Sequence, residues 1–166
     1  MLTNATPDSH TPPRVLLCED EGLTIMMLRK ALRVHGYNVV AETGTAQEAI
    51  RIATTMPLDL ILMDVNLQGT MDGIEAARQI LADHFVPIIM LTATIARDQV
   101  QRAFEAGASG YISKPVTSQN LIPMLQAILA QSPIAQNIEE ARARFDSVSG
   151  TDRFHSAPLV LPLPFP

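Results

Sequence analysis

The chain has one cysteine, Cys18, and no tryptophan. A single thiol cannot build a disulfide framework, which excludes the small stapled secreted folds and suits a reducing cytoplasm. Aromatic residues make up only 4% of the chain, so the core has to be aliphatic. Basic side chains are outnumbered 12 to 17, for a formal net charge of -5. A protein that grips a phosphate backbone normally carries the opposite surplus. No apolar run approaches the ~20 residues that cross a bilayer. Residues 1–13 are polar and proline-containing, without the apolar stretch of a signal peptide. These absences point to a cytoplasmic chain with no membrane contact and no direct DNA binding. Its 166 residues, 47% of them hydrophobic, suffice for one well-buried domain and not for two ordinary ones.

What is present is a set of short apolar runs, each closing on a polar group. Val15-Leu16-Leu17-Cys18 closes on Glu19-Asp20, and Leu58-Asp59-Leu60-Ile61-Leu62-Met63 on Asp64. Val86-Pro87-Ile88-Ile89-Met90-Leu91 closes on Thr92, and Tyr111-Ile112-Ser113 on Lys114-Pro115. Runs of this length and composition read as buried parallel strands. Helical patterns lie between them. Ile25, Leu28, Ala31 and Leu32 share one face, as do Ile74, Ala77, Ile80 and Leu81. Thr45-Ala46-Gln47-Glu48 has capping-box spacing and opens a helix stopped by Pro57, and Asp72 caps another. Val100, Ala103 and Phe104 mark a fourth helix, and Leu121, Leu125, Ile128 and Leu129 a fifth. With a further strand at 39–42, strand and helix alternate five times between Arg14 and Gln131. That alternation predicts an α/β fold, a doubly wound five-stranded parallel sheet of flavodoxin-like order 2-1-3-4-5.

In that order the first and third strands are neighbours, so Glu19, Asp20 and Asp64 meet at the C-terminal edge, where such sheets place their sites. Thr92 and Lys114 arrive from the other side of Asp64. Clustered carboxylates repel one another and require a cation or an ammonium to offset them. Mg2+ suits hard oxygen donors and bridges carboxylates to phosphate oxygens. A carboxylate in such a setting attacks phosphorus to form an aspartyl phosphate, and Asp64 holds the central position. Thr92 and Lys114 are placed to neutralise the oxygens of the transferred group. Taken singly, each residue has an ordinary explanation as a helix cap, turn residue or solvated lysine. Their joint occurrence at one edge does not.

These motifs resemble the receiver domain of two-component response regulators. The resemblance rests on Val15-Leu16-Leu17-Cys18-Glu19-Asp20-Glu21, on Leu62-Met63-Asp64-Val65-Asn66-Leu67 with Met71-Asp72-Gly73-Ile74-Glu75-Ala76-Ala77, on Met90-Leu91-Thr92-Ala93, and on Ala106-Gly107-Ala108-Ser109-Gly110-Tyr111-Ile112-Ser113-Lys114-Pro115. It implies a phosphoacceptor switch rather than a turnover enzyme. Asp64 would take a phosphoryl group from a sensor histidine kinase or a histidine phosphotransfer protein. Asp20, Asp64 and the backbone carbonyl of Asn66 would hold Mg2+, with Glu19 acting through water. Thr92 and Lys114 would bind phosphoryl oxygens, and the Lys114-Pro115 bond would be cis. Tyr111 would rotate with Thr92 as the switch, and Asn66 and Thr94 would modulate the phosphorylated lifetime. Because Thr94 cannot orient a water as an acid would, that lifetime is expected to exceed that of receivers with an acidic residue there. Two departures stand out. Gln68 occupies a position where many receivers have proline, and the loop holds one residue more before Asp72-Gly73. Cys18 stands where a small aliphatic is usual, and reads as a core side chain rather than a redox sensor.

The expected organisation is a disordered N-terminal tail over 1–12, a receiver domain over 13–131 and an extension over 132–166. The extension would form a short charged helix at 138–145 and then the proline-rich Pro158-Leu159-Val160-Leu161-Pro162-Leu163-Pro164-Phe165-Pro166. This end is either a disordered terminus or an extended segment whose Leu159, Leu161, Leu163 and Phe165 dock on this domain, on a second copy or on a partner. The extension is too short for a DNA-binding output domain, which leaves a downstream protein target or relay, with homodimerisation open. Two other functions compete. A receiver of an RNA-binding antiterminator has a similar loop over 67–73, but the extension lacks a basic face. A flavodoxin-like enzyme or an aspartyl phosphatase would need different residues at Glu19-Asp20-Glu21 or at Asn66.

Overall fold

Each apolar run becomes a strand of one sheet. The computed structural model describes residues 12–130 and 159–160. Along the chain come β1 (Arg14–Cys18), α1 (Gly22–Val34), β2 (Asn38–Thr43), α2 (Ala46–Thr55), β3 (Leu60–Asp64) and α3 (Gly73–Asp83). They are followed by β4 (Ile88–Thr92), α4 (Arg97–Glu105), β5 (Gly110–Ser113), α5 (Ser118–Leu129) and β6 (Leu159–Val160). The first five strands are parallel, in the expected order β2-β1-β3-β4-β5. Every residue of β3 and β4 is buried, which is why these runs are continuously apolar instead of alternating.

Helices cover both faces. Leu16, Cys18, Ile61, Met63, Ile88, Met90 and Tyr111 pack beneath α2, α3 and α4. Val15, Leu17, Leu60, Leu62, Ile89, Leu91 and Ile112 pack beneath α1 and α5. The two sets alternate along β1, β3, β4 and β5, the period of two that a pleated backbone imposes. Three glycine and cap positions tie the layers together. Asp72 caps α3 by accepting the Glu75 N–H at 2.8 Å, and also takes Arg102 of α4 at 2.6 Å. Asn120 accepts the Thr117 N–H at the start of α5. A Cβ on Gly110 would lie 2.6 Å from Met124 Sδ, so β5 approaches α5 closely.

The structure adds to the expected fold and corrects it in places. β6 pairs antiparallel with β5, Gly110 opposite Val160 and Tyr111 opposite Leu159, so among the described residues the sheet has six strands. Leu159 and Val160 thus add backbone to this sheet from the three-residue stretch between Pro158 and Pro162, where no proline removes an N–H. The expected N-terminal tail, the helix at 138–145 and the other residues of that end lie outside the described residues. The capping box at Thr45 is only half made. Thr45 accepts the Glu48 N–H at 3.4 Å, but the Glu48 carboxylate turns to Arg51. Phe104 is 40% exposed, not in the core. It sits on a nine-residue helix, α4, whose buried face is supplied by Val100 and Ala103. Cys18 is fully buried, and burial pushes its thiol far above the ordinary range, which leaves it a core residue.

Candidate functional site

Register brings the polar strand ends together. Cys18 lies opposite Met63, Asp64 opposite Leu91 and Thr92 opposite Ser113, so Glu19, Asp64, Thr92 and Lys114 leave the sheet within a step of one another. The backbone continues the pairing there: the Glu19 N–H donates to Thr43 O, Val65 to Leu91 O and Lys114 to Thr92 O. The Lys114–Pro115 peptide is cis.

Alternation then sorts the side chains. Stepping by two from Val15 and Leu17, from Leu60 and Leu62, and from Ile112 places Glu19, Asp64 and Lys114 on the side of α1 and α5. The same step from Ile88 and Met90 places Thr92 on the opposite side, with Tyr111. The contacts follow that division. Lys114 Nζ lies 2.7 Å from Asp64 Oδ2 and 2.7 Å from Glu19 Oε2. Only the Asp64 contact is aligned as a hydrogen bond, and among the described residues Glu19 Oε2 has no other partner. Glu19 Oε1 accepts the N–H groups of Asp20 and Glu21, at 3.2 and 3.1 Å. Asp64 Oδ1 accepts the Asn66 N–H at 3.0 Å.

Glu19 and Asp64 are buried, whereas Asp20 is exposed. Burial pushes the Glu19 carboxyl up, the adjacent Lys114 ammonium opposes this, and the charge of Asp64 adds to the rise. Burial pulls the Lys114 ammonium down, but its hydrogen bond to Asp64 and its ion pair with Glu19 outweigh that and hold it above the ordinary lysine range.

Glu19, Asp20 and Asp64 each offer an oxygen within 4.8 Å of the others. Three hard anionic oxygens against one ammonium leave negative charge uncompensated, and the exposed Asp20 opens the cluster to solvent. This donor set fits a hard divalent cation such as Mg2+. The Asn66 side chain is exposed, as is Thr94.

Thr92 stands apart from the triad. Its hydroxyl donates to Thr94 O at 2.8 Å and accepts the Thr94 N–H at 3.2 Å. Tyr111 is 3% exposed, and its hydroxyl has no hydrogen-bond partner among the described residues. Burial pushes that phenol up, with the nearby Thr92 hydroxyl opposing the rise. A buried hydroxyl without a partner is costly.

Two positioning glycines escaped the reading of residue types. A Cβ on Gly73 would fall 1.9 Å from Asp64 O, so the first turn of α3 can abut the Asp64 backbone only with glycine there. Gly44 packs less severely beside Asp20, where a Cβ would lie 3.3 Å from Asp20 Cβ. The Asp72-Gly73 pair was a visible signal for the first; nothing in the sequence marks the second.

Comparison with known proteins agrees with this geometry. The family model for the response regulator receiver domain matches residues 15–126. The transcriptional regulatory protein PdtaR of Mycobacterium tuberculosis is 42% identical over 124 residues, covering 75% of this chain and 60% of that protein. The chain thus spans about half to three-fifths of the length of the curated relatives it matches. Among solved structures, a two-component response regulator of the LuxR family from Aurantimonas sp. SI85-9A1 superposes with a TM-score of 0.68 at 35% identity, covering 80% of this chain and 99% of that one. The receiver domain of the sensor histidine kinase PA1611 from Pseudomonas aeruginosa, which has a magnesium ion coordinated in its active-site cleft, gives a TM-score of 0.65 at 32% identity, covering 72% and 98%.

Proposed function

This chain belongs to the response regulator receiver family, and from that premise we propose that it is a two-component phosphorylation switch whose phosphoacceptor is Asp64. One observation carries the reading: Asp64 ends the central strand inside a cluster that holds two further carboxylates and a doubly paired ammonium. The donor would be a phosphohistidine on a sensor kinase or phosphotransfer protein. An Asp64 carboxylate oxygen forms the new P–O bond as the P–N bond breaks, and the imidazole leaves with the electron pair and takes up a proton. Lys114 stays within hydrogen-bond reach of Asp64 and neutralises the incoming oxygens. Asp20, Asp64 and the Asn66 carbonyl would hold Mg2+, with Glu19 behind them. When bound, the cation supplies charge neutralisation for carboxylates and phosphoryl oxygens alike.

Output would begin at Thr92. Turning its hydroxyl from Thr94 towards a phosphoryl oxygen changes the surroundings of the buried Tyr111 ring and so alters the surface formed by α4, β5 and α5. The acidic balance favours a protein target over a nucleic acid. The absence of an acidic side chain at Thr94 supports a long phosphorylated lifetime, and Thr94→Glu is expected to shorten it. The receiver would span residues 13–131. Among the described residues no helix is long and apolar enough to cross a membrane, which agrees with a cytoplasmic place of action.

The test is incubation with acetyl phosphate and Mg2+ followed by intact-mass measurement. The wild type should gain about 80 Da, one phosphoryl group in place of a proton, and Asp64→Asn should gain nothing. No adduct on the wild type, or an equal one on the variant, overturns the assignment.

A further inference from the structure

The loop after Asp64 reaches back across the end of β1. The Gln68 N–H donates to Gly44 O at 2.9 Å, and Thr45 and Gln68 form an isolated parallel bridge. β2 and β3 are not neighbours in the sheet, because β1 lies between them. Their loops can pair only after β1 has ended, directly above the point where Glu19 and Asp20 emerge. Gly44 meets that point from the other side. A Cβ there would lie 3.3 Å from Asp20 Cβ, 3.4 Å from Asp20 Cα and 3.7 Å from Glu19 O. One residue therefore touches the backbone that carries Asp20 and, through its carbonyl, holds the loop that starts at Asp64.

We infer that Gly44 is a positioning residue for the acidic site: its bare Cα and its carbonyl together set the separation between Asp20 and Asp64 and so the site's preference for a small divalent cation. The inference rests on the proposed cation-binding role of that cluster and deepens it. The physical argument is one of tolerance. Mg2+ requires nearly ideal octahedral geometry with short bonds, whereas Ca2+ accepts longer bonds and irregular ligand sets. A displacement of Asp20 by a few tenths of an ångström therefore penalises the smaller ion more. The Gly69 backbone has φ +106° and its Cβ position faces Gln47 Oε1 at 3.7 Å, so the loop turns immediately after the bridge and leaves Gln68 as its anchoring donor.

The full chain is titrated calorimetrically with Mg2+ alone and with Ca2+ alone. Gly44→Ala should weaken Mg2+ binding about tenfold, the usual cost of disturbing a residue behind the ligands, and weaken Ca2+ binding less. The ratio of the two affinities should fall, a readout that general loss of stability does not move. Gln68→Pro removes the donated N–H and should shift the ratio in the same direction, whereas Gln68→Ala keeps the N–H and should leave it at the wild-type value. This second pair decides the matter if Gly44→Ala does not fold. Unchanged ratios in Gly44→Ala, or equal effects of Pro and Ala at position 68, overturn the inference. If the wild type itself binds neither ion, the receiver reading of the cluster fails instead, so the two failures are distinguishable.

Discussion

Lys114 Nζ lies 2.7 Å from Asp64 Oδ2 across fifty residues of chain, and it bridges the same carboxylate to the buried Glu19. The ammonium is the counter-charge built into the covalent structure for two carboxylates that would otherwise face each other. It holds them in place before any other cation or phosphoryl group arrives.

Removing that charge should cost stability. Lys114→Met retains the length of the stem and leaves Glu19 and Asp64 unneutralised. It is expected to lower unfolding free energy by about 2 kcal/mol without divalent cations, as loss of a charge-assisted hydrogen bond does. Urea unfolding with and without Mg2+ checks this, and the deficit should shrink with the ion present.

Gly73 allows no side chain. With a Cβ position 1.9 Å from Asp64 O, Gly73→Ala must move either the start of α3 or the end of β3. The expected loss is about 3 kcal/mol, at the upper end for overpacking a site that cannot relax. Gly22, whose Cβ position meets nothing within 4 Å, should accept alanine with little change. Comparable thermal midpoints for the two variants would contradict the close packing of α3 on Asp64.

The start of the sheet makes a pH-dependent contribution. Asp59 accepts the Arg14 backbone N–H at 2.7 Å and its guanidinium at 3.0 and 3.1 Å, and the Arg14 hydrogen bonds hold its carboxyl below the ordinary 3.8. A depressed carboxylate gives stability that is present above its unfolded pKa and lost as pH falls through the folded value. The side chains are more than a third exposed, so the contribution is about 1 kcal/mol at neutral pH. The wild type should therefore exceed Asp59→Asn in stability at pH 7, and the gap should close below pH 3.8. A gap that stays constant down to acid unfolding would contradict this.

The sixth strand can be examined by amide exchange. Leu159→Pro with Val160→Pro removes both donors of β6. The outward-facing amide in Gly110–Tyr111 should then exchange about tenfold faster, the value of one backbone hydrogen bond. Identical exchange in wild type and variant would mean that β6 does not pair in solution.

The candidate site was legible because each of its side chains ends an apolar run, and the same run announces a strand. Asp64, Asp20, Glu19 and Lys114 were named from that pattern, and the structure brings them together. The Asp72 cap was legible from residue type and spacing, as was the buried Cys18. The second half of the Thr45 box failed because Arg51 offered Glu48 a charged partner one turn on.

By itself the sequence determined the number and type of the parallel elements and the polar group at each strand end. These are local properties, carried by the spacing of residues within one segment. Only the tertiary structure decided the register of the strand ends and the side of the sheet on which each falls, that Thr92 turns to Thr94 while Lys114 takes both carboxylates, and that Gly44 and Gln68 clasp above β1. Those relationships join segments far apart in the chain through backbone groups that every residue shares, so no residue type announces them.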